Sequence, residues 1–257
     1  MKAMVLAAGL GMRLRPLTDD RPKALVTVAG RTMLEIALER LRAAGVTEAI
    51  VNAHHFAEQV EQFVKGREDF GMRIEISREL ELLDTGGGIK KAAWFFLEAN
   101  SDHGPDRDAP FIVHNVDVIS TVDLGRMVRM HTECGALVTL AAAERDSSRQ
   151  LIFDQDGLLC GRRAGRVAEP EIVRPAEQTK PLAFSGIHVI SPRIFALLNE
   201  TGAFSIIDAY LRLAAEGEKI VAFRADEYYW RDLGKPESIA AAERDIASGA
   251  VKLSQRA

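Results

Sequence analysis

Apolar and polar positions alternate between two periods through the first half of the chain. Short continuous apolar runs are typical of buried strands, whereas apolar positions three and four residues apart are typical of amphipathic helices. The apolar runs predict strands at residues 3–8, 48–52, 72–77, 111–113 and 136–142. The helical spacing predicts helices at residues 33–44, 56–64, 88–97 and 124–132. Strands that alternate with helices predict right-handed βαβ units and an α/β fold around a mostly parallel sheet.

The pattern is less regular in the second half of the chain. The predicted elements are a hairpin, a charged surface excursion, a long strand and two helices, at residues 151–160, 162–181, 182–190, 206–215 and 236–247. The turn of the hairpin is Asp154-Gln155-Asp156-Gly157, whose residue types favour a reversal of the chain. Residues 249–257 are expected to form a frayed tail.

Composition and charge exclude several classes of function. The 257 residues include 33 Lys and Arg against 37 Asp and Glu, so the chain lacks the basic surplus of a nucleic-acid-binding protein. No apolar run is long enough to span a bilayer, and the short apolar N-terminus does not continue into a signal peptide. The two cysteines, Cys134 and Cys160, cannot form a disulfide framework. We therefore expect a cytoplasmic protein without nucleic-acid or membrane partners.

The densest chemical signal is the loop after the first predicted strand. It reads Leu-Ala-Ala-Gly-Leu-Gly-Met-Arg-Leu-Arg-Pro-Leu-Thr at residues 6–18 and Arg-Pro-Lys-Ala-Leu at residues 21–25. Glycines at the end of a parallel strand let a ligand approach the backbone, whose N–H groups form an anion-binding concavity. Arg13 adds a planar guanidinium and Lys23 a compact ammonium, both suited to phosphate oxygens. The loop therefore predicts a phosphate-binding site.

Two common phosphate motifs do not account for this loop. Leu14 stands where a dinucleotide fingerprint beginning at Gly9 and Gly11 needs its third glycine, and no GxxxxGK[ST] motif occurs. A glycine-rich turn with solvated arginines is the structural alternative for an isolated GxG. The segment instead resembles the signature LAAGxGxRxxPLTxxxPKxL of the sugar-1-phosphate nucleotidyltransferases, and every fixed position of that signature is present.

This resemblance implies a particular fold and a nucleotide site on the loop. The fold would be a Rossmann-like three-layer sandwich of the nucleotide-diphospho-sugar transferase type, with a mostly parallel, mixed central sheet. The nucleotide contacts implied by the resemblance fall on Leu6, Ala8, Gly9 and Gly11. Arg13 and Lys23 would hold phosphates and take part in catalysis.

The glycine run Asp84-Thr85-Gly86-Gly87-Gly88 precedes a predicted helix. Taken alone, it indicates a helix cap followed by flexible glycines. In the family that the chain resembles, the matching segment lies against the base and the sugar. The resemblance therefore assigns nucleotide contacts to Thr85, Gly86 and Gly87.

Two aspartates far apart in the sequence complete the predicted site. Asp117 follows a buried strand, and a carboxylate at the carboxyl edge of a parallel sheet faces the ligand crevice. Asp232 lies in a segment that resembles the family motif W-x-D-x-G-x-P. The resemblance makes both of them ligands of Mg²⁺, with Asp117 a catalytic residue. The family usually has glycine where Val116 stands, which puts the local backbone geometry in doubt.

The resemblance also implies a sugar site and a reaction. Asn115, Ser185 and Gly186 match positions that contact the sugar. The implied reaction transfers a nucleotidyl group from an NTP to a sugar 1-phosphate and releases pyrophosphate. The attacking oxygen belongs to an ionised phosphate, so no general base is needed. Mg²⁺, Arg13 and Lys23 would neutralise the charge of the two substrates.

The resemblance also implies a domain organisation and a group of relatives. We expect one domain over residues 1–248, with a nucleotide-binding half at about 1–120 and a sugar-binding half at about 121–248. The chain has no room for the β-helix domain of longer relatives, and looks most like the N-acetylmuramate-1-phosphate uridylyltransferases of cell-wall recycling. The alternatives are a mannose-1-phosphate guanylyltransferase, another NTP and sugar pairing, a cytidylyltransferase that activates phosphocholine, or a non-catalytic sugar-nucleotide sensor. A glycosyltransferase would not require the N-terminal signature. The protein would be a monomer or homodimer.

Overall fold

The protein forms a layered α/β structure, which a computed structural model describes at residues 1–98, 109–165 and 169–253. Within these ranges the strands are β1 (Lys2–Leu6), β2 (Thr27–Val28), β3 (Arg31–Thr32), β4 (Glu48–Ala53), β5 (Arg73–Arg78), β6 (Phe111–Asn115), β7 (Val118–Ser120), β8 (Val138–Ala143), β9 (Arg149–Asp154), β10 (Leu159–Ala164), β11 (Glu171–Ile172), β12 (Thr179–Ile190), β13 (Ile220–Arg224) and β14 (Trp230–Asp232). The helices are α1 (Met33–Ala43), α2 (Ala57–Lys65), α3 (Asp84–Lys91), α4 (Ala93–Leu97), α5 (Leu124–Cys134), α6 (Ile206–Ala215) and α7 (Pro236–Ala247). Short 3₁₀ helices lie at Met12–Leu14, Lys23–Leu25, Glu68–Gly71 and Pro192–Ala196.

A ten-stranded mixed sheet runs through the described part of the molecule. Its order is β11-β10-β9-β12-β6-β1-β4-β5, and β8 and β13 are attached through β12. The strands β6, β1, β4 and β5 are parallel, whereas β12 is antiparallel to β6, β8 and β9. The sheet therefore changes from parallel to antiparallel pairing at β12, and the predicted α/β class with a mixed central sheet is confirmed.

Two hydrophobic clusters cover the two faces of this sheet. Successive side chains of β1 point to opposite faces, so Ala3 and Val5 lie in one cluster and Met4 lies in the other. Helices α1, α5 and α7 contribute to the first cluster, and α3, α4 and α6 contribute to the second. A parallel strand covered on both faces must be apolar throughout, which explains the continuous apolar run at the N-terminus.

Helices α6 and α7 have the predicted bounds, but the helix expected at residues 88–97 differs. It begins at Asp84 and is divided at Ala92 into α3 and α4, so the glycine run lies inside the first helix. Glycine is a poor helix former, and intrinsic preference alone therefore placed the start too late. The packing of α3 against a neighbouring loop overrides that preference.

The prediction of a surface excursion over residues 162–181 is wrong at both ends of that range. Strand β10 continues to Ala164 and pairs with β11, while β12 already begins at Thr179. Antiparallel pairing makes these segments strands, since β10 pairs with β9 and β11, and the start of β12 pairs with β9. Residues 166–168 lie outside the described residues.

The end of the chain packs further than expected. Val251 is buried in the first hydrophobic cluster, although it belongs to the segment expected to fray. Residues 254–257 lie outside the described residues. Among the helices of the described ranges, none is both long enough and apolar enough to cross a membrane.

Three buried histidines predict how stability depends on pH. Burial lowers the pKa of His114 and of His131 to about 4 and that of His188 to about 3, from 6.5. Between about pH 6.5 and 4 the unfolded chain therefore binds protons that the folded protein does not. We therefore expect the free energy of unfolding to decrease as the pH is lowered through this window, by about 1.4 kcal/mol per pH unit for each histidine. Urea denaturation at pH 7.5, 6 and 5 measures this dependence.

His131 offers a variant with a matched control. Its ring nitrogens contact Thr139 Oγ1 at 2.9 Å and Ser191 Oγ at 3.0 Å. His131→Asn removes one titrating group. We expect it to reduce the change in the free energy of unfolding per pH unit by the contribution of one histidine. His55→Asn, at an exposed position, should leave the slope unchanged. A free energy of unfolding that stays constant from pH 7.5 to 5 in the unaltered protein would contradict the prediction.

Candidate active site

A cavity of about 510 Å³ opens at the carboxyl ends of the parallel strands β1, β4 and β6. Its lining residues come from these strand ends and the following loops: Leu6, Ala8, Gly9, Lys23, Asn52, Leu82, Asp84, Thr85, Asn115, Val116, Asp117 and Ala203. In open α/β sheets, ligands bind at this edge. A second cavity of similar volume, at the turn between β9 and β10, is lined by none of the predicted site residues.

The glycine-rich loop folds back on itself at one edge of the cavity. Gly11 has a φ of +64°, and a Cβ there would lie 2.9 Å from Thr18 Cγ2 and 3.1 Å from Lys23 Cβ. The Thr18 hydroxyl donates to the Gly11 carbonyl at 3.0 Å. A Cβ on Gly9, in contrast, would meet no protein atom within 4 Å. Gly11 is therefore required by the loop itself, while Gly9 leaves its side of the cavity open.

Lys23 and Asp117 form an ion pair inside the cavity, between Nζ and Oδ2. Their side chains are 12% and 13% exposed. The pair joins the N-terminal loop to the end of β6, although 94 positions separate the two residues. Two predicted site residues are thus in direct contact, and their opposite charges compensate each other where both side chains are largely buried.

Asp232 lies next to Asp117 along the backbone because β14 pairs with β7 in a separate two-stranded ribbon. The backbone N–H of Leu233 donates to the carbonyl of Asp117 at 2.8 Å. Asp232 Oδ1 accepts from the N–H of Gly234 at 2.9 Å. A Cβ on Gly234 would lie 2.7 Å from Arg13 Nη2 and 2.8 Å from Asp232 Oδ1. The absence of a side chain at Gly234 therefore lets Arg13 and Asp232 approach each other.

The chemistry of these donors fits a magnesium ion that is shared with a substrate. Mg²⁺ is usually held by one or two carboxylates together with phosphates and waters, not by an all-protein cage. Asp117 and Asp232 supply two carboxylates at the same end of the ribbon formed by β7 and β14. Within residues 1–98, 109–165 and 169–253, no group of three or more His, Cys, Asp or Glu side chains could hold a metal. The residues therefore fit a metal that also needs phosphate oxygens.

Val116 fits the backbone at the position where the family usually has glycine. Its φ lies outside the left-handed region, so a β-branched residue causes no strain there. Its N–H donates to the Leu6 carbonyl at 3.1 Å, and its side chain is buried in the first hydrophobic cluster. The valine therefore leaves Asn115 and Asp117 at the edge of the cavity.

The residues predicted to contact the sugar are adjacent in space. Gly186 has a φ of +73°, and a Cβ there would lie 2.8 Å from Asn115 Nδ2. Asn115 lines the cavity. The side chain of Ser185 is buried, and its hydroxyl accepts a hydrogen bond from Arg145 Nη1 at 3.0 Å. Trp230 Nε1 donates to the Ser185 carbonyl at 2.8 Å. The Ser185 hydroxyl is therefore already engaged by the protein.

Thr85 and the two glycines after it have different surroundings in α3. Thr85 lines the cavity, and its hydroxyl accepts from the N–H of Ile206 at 3.0 Å. A Cβ on Gly86 would lie 2.9 Å from the Phe204 carbonyl oxygen, and one on Gly87 would lie 2.5 Å from the Gly202 carbonyl oxygen. These two glycines let α3 pack against the loop at 202–204. Nucleotide contacts at Gly86 and Gly87 stay a prediction.

A buried polar pair, Asn52 and Glu79, was missed by sequence reasoning. Asn52 Oδ1 accepts from the N–H of Ala7 at 2.7 Å, and Asn52 Nδ2 donates to Glu79 Oε1 at 2.7 Å. A Cβ on Gly88 would lie 2.9 Å from both side chains. Asn52 is the polar last residue of a predicted apolar strand, and that signal could have identified it. The pair holds the start of the glycine-rich loop in place.

This combination of sheet edge, glycine-rich loop and paired aspartates defines a nucleotidyltransferase of the nucleotide-diphospho-sugar transferase fold. The sequence profile of the nucleotidyl transferase family matches residues 2–249, and the chain belongs to that family. Enzymes of this family generally use a divalent metal ion.

Three similar proteins illustrate the relationship. The N-acetylmuramate alpha-1-phosphate uridylyltransferase of Caulobacter vibrioides is 37% identical over 95% of this chain and 96% of its own length. The mannose-1-phosphate guanyltransferase of Candida albicans is 29% identical over 92% of this chain and 62% of its own length. The crystal structure of a putative glucose-1-phosphate thymidylyltransferase from Bacillus anthracis has a TM-score of 0.78, 18% identity and coverage of 100% and 98%. The last likeness concerns the fold alone.

Proposed function

We propose that the protein transfers a nucleotidyl group from an NTP to a sugar 1-phosphate in the presence of Mg²⁺, giving an NDP-sugar and pyrophosphate. The observation that carries this proposal is the ion pair between Lys23 and Asp117, beside Asp232 on the adjoining ribbon. The ion pair joins the cation of the N-terminal loop to one carboxylate that lines the cavity, and the second carboxylate, Asp232, is adjacent to Asp117 along the paired backbones. A nucleoside triphosphate and a metal ion require this combination of charges.

The chemistry at this site would depend on charge and positioning. The attacking phosphate oxygen of the sugar is already ionised, and no histidine lines the described cavity to act as a base. Arg13 and Lys23 would reduce the repulsion between two phosphate-bearing substrates. Asp117 and Asp232 would hold Mg²⁺, which neutralises phosphate charge when it is bound. The N–H groups of the glycine-rich loop would orient the triphosphate.

We propose UTP and N-acetylmuramate 1-phosphate, or a related sugar, as the substrates. The Caulobacter vibrioides uridylyltransferase supports this pairing because it matches the chain along nearly its whole length. The guanyltransferase of Candida albicans keeps GTP and mannose 1-phosphate as the second candidate pair. A non-catalytic sensor would not need Lys23 and both aspartates to converge.

The remaining predictions concern the organisation of the molecule. We propose that residues 1–120 form the nucleotide-binding half and residues 121–248 the sugar-binding half of one domain. Cys134 and Cys160 are free thiols, which supports a reducing compartment such as the cytoplasm. We also propose that the protein is a monomer or a homodimer.

One assay tests the proposed function. The protein is incubated with Mg²⁺, each of the four NTPs and a panel of sugar 1-phosphates, and pyrophosphate release is measured. We expect release to depend on both substrates and to be highest with UTP and N-acetylmuramate 1-phosphate. Release without a sugar phosphate would indicate simple hydrolysis. No release with any pair would contradict the enzymatic function and favour a sensor.

A further inference from the structure

Arg145 lies next to the predicted sugar-binding residues, outside the motifs that point to the reaction. It comes two residues after β8 and reaches back to β12, where the register shifts between Phe184 and His188. Nη1 donates to Ser185 Oγ at 3.0 Å, and Nη2 donates to the Phe184 carbonyl at 2.6 Å. The guanidinium carbon lies 3.5 Å from the centre of the Trp230 ring. Its position is therefore held by three separate contacts.

The guanidinium of Arg145 has no acidic partner among the residues that the structure describes. No carboxylate of the described residues lies within 4.0 Å of it, although other partly buried arginines, such as Arg212 and Arg231, pair with acidic side chains. An arginine has five N–H groups, and contacts within the described ranges occupy two of those on Arg145. The other three N–H groups have no hydrogen-bond partner among the described residues.

The two aspartates whose charges act on Arg145 from a distance are already engaged by the protein. Burial lowers the pKa of Arg145 to about 10, and the more distant Asp226 and Asp232 oppose this shift. Asp226 accepts from the N–H of Glu144 and pairs with Arg224. Asp232 accepts from the N–H of Gly234 and is a predicted metal ligand. A partly buried cation that no described carboxylate contacts is stabilised when an anion binds beside it.

The residues that Arg145 contacts adjoin the residues predicted to bind the sugar. Ser185 is followed by Gly186, whose Cα approaches the cavity-lining Asn115. Trp230, which stacks on the guanidinium, precedes Asp232 by two residues on β14. The phosphate-binding cations Arg13 and Lys23 instead come from the N-terminal loop. The cation of Arg145 is therefore supplied from the sugar-binding half, separately from those that face the triphosphate.

We propose that Arg145 determines specificity by binding a carboxylate on the sugar, so that the substrate is an acidic sugar 1-phosphate. This inference rests on the proposed function. A planar guanidinium matches a carboxylate in a bidentate arrangement, and stacking on Trp230 fixes its plane. The lactyl ether of N-acetylmuramate carries such a group, whereas N-acetylglucosamine lacks it and is otherwise the same sugar. Arg145 would thus distinguish the two sugars by charge.

The first test changes the substrate and leaves the protein intact. The kcat/KM of the unaltered enzyme is measured with N-acetylmuramate 1-phosphate, with its methyl ester and with N-acetylglucosamine 1-phosphate. We expect the acid to be preferred over the ester about 10- to 100-fold, the effect of a hydrogen bond to a charged group. Equal kcat/KM for the acid and the ester would overturn the role of Arg145. No turnover with any sugar would overturn the proposed function as well.

The second test changes Arg145. Arg145→Gln is expected to lower kcat/KM for the acid about 10- to 100-fold and to leave the neutral sugar nearly unaffected, while Arg145→Lys retains part of the preference. The matched control is Arg126→Gln, since Arg126 also lies over an aromatic ring but pairs with Glu227. An equal loss with both sugars would overturn the proposal, because it would indicate binding of the shared phosphate or a structural role.

Discussion

Asp117→Asn is expected to lower kcat about 10²–10³-fold, the effect of removing one group placed to stabilise transition-state charge. Asparagine keeps the shape of the side chain but removes the charge that pairs with Lys23 and that would hold Mg²⁺. Asp232→Asn is expected to have a similar effect. Because both carboxylates would act through one metal ion, the double variant should be little worse than either single variant. Steady-state pyrophosphate release measures all three.

A nearby aspartate provides the control for this series. Asp123 caps helix α5, where its side chain accepts from the N–H of Arg126 at 2.8 Å. Asparagine caps a helix as well as aspartate does, so Asp123→Asn should retain normal activity and stability. Thermal unfolding of each variant separates loss of function from loss of structure. Near-normal turnover in Asp117→Asn or Asp232→Asn would rule out the metal-binding role of that residue.

Replacing Lys23 is expected to have the second largest effect, and mainly on the use of the nucleotide. Lys23→Met keeps the length of the side chain and removes a partly buried charge that would bind the triphosphate. We expect kcat/KM for the NTP to fall about 10²-fold or more, with a smaller change in KM for the sugar phosphate. Affinity for the NTP, measured by calorimetry without the sugar, should fall in parallel.

Lys235 is the matched control for Lys23. It follows Asp232 by three residues, but its side chain is 55% exposed, and its Nζ lies 3.9 Å from Glu237 Oε1. Lys235→Met removes an equal charge from near the site without touching the cavity, and should change neither KM nor kcat appreciably. An unchanged kcat/KM and NTP affinity in Lys23→Met would show that Lys23 does not bind the phosphates.

Much of the site could be predicted from local sequence because its chemistry is local. The glycine-rich loop carries its own turn residues and its own cations within twenty consecutive positions, 6–25. The helices α6 and α7 were predicted with correct bounds because each has an apolar face that only helical spacing produces. Asp117 was recognisable because it follows a buried strand at the ligand-binding edge of the sheet.

Other features could not be predicted, because they depend on partners distant in the sequence. Gly86 and Gly87 of α3 are explained by the loop at 202–204, which lies more than a hundred residues further along the chain. Arg145 acquires its position from a register shift in β12 and from the ring of Trp230. Neither contact leaves a periodic signal around the residue itself, so pattern alone could not identify them.

The sequence by itself determined the class of fold, and it predicted the phosphate-binding chemistry of the N-terminal loop and the two acidic residues of the site. These properties follow from residue type and short spacing, which act within one element. Only the tertiary structure decided that Lys23 pairs with Asp117, that β14 lies beside β7 and so places Asp232 next to Asp117 along the backbone, and that Arg145 contacts Ser185 with no carboxylate of the described residues within 4.0 Å. The physical reason is that side-chain charges at this site interact over a few ångströms, and only the folded sheet brings these distant residues so close.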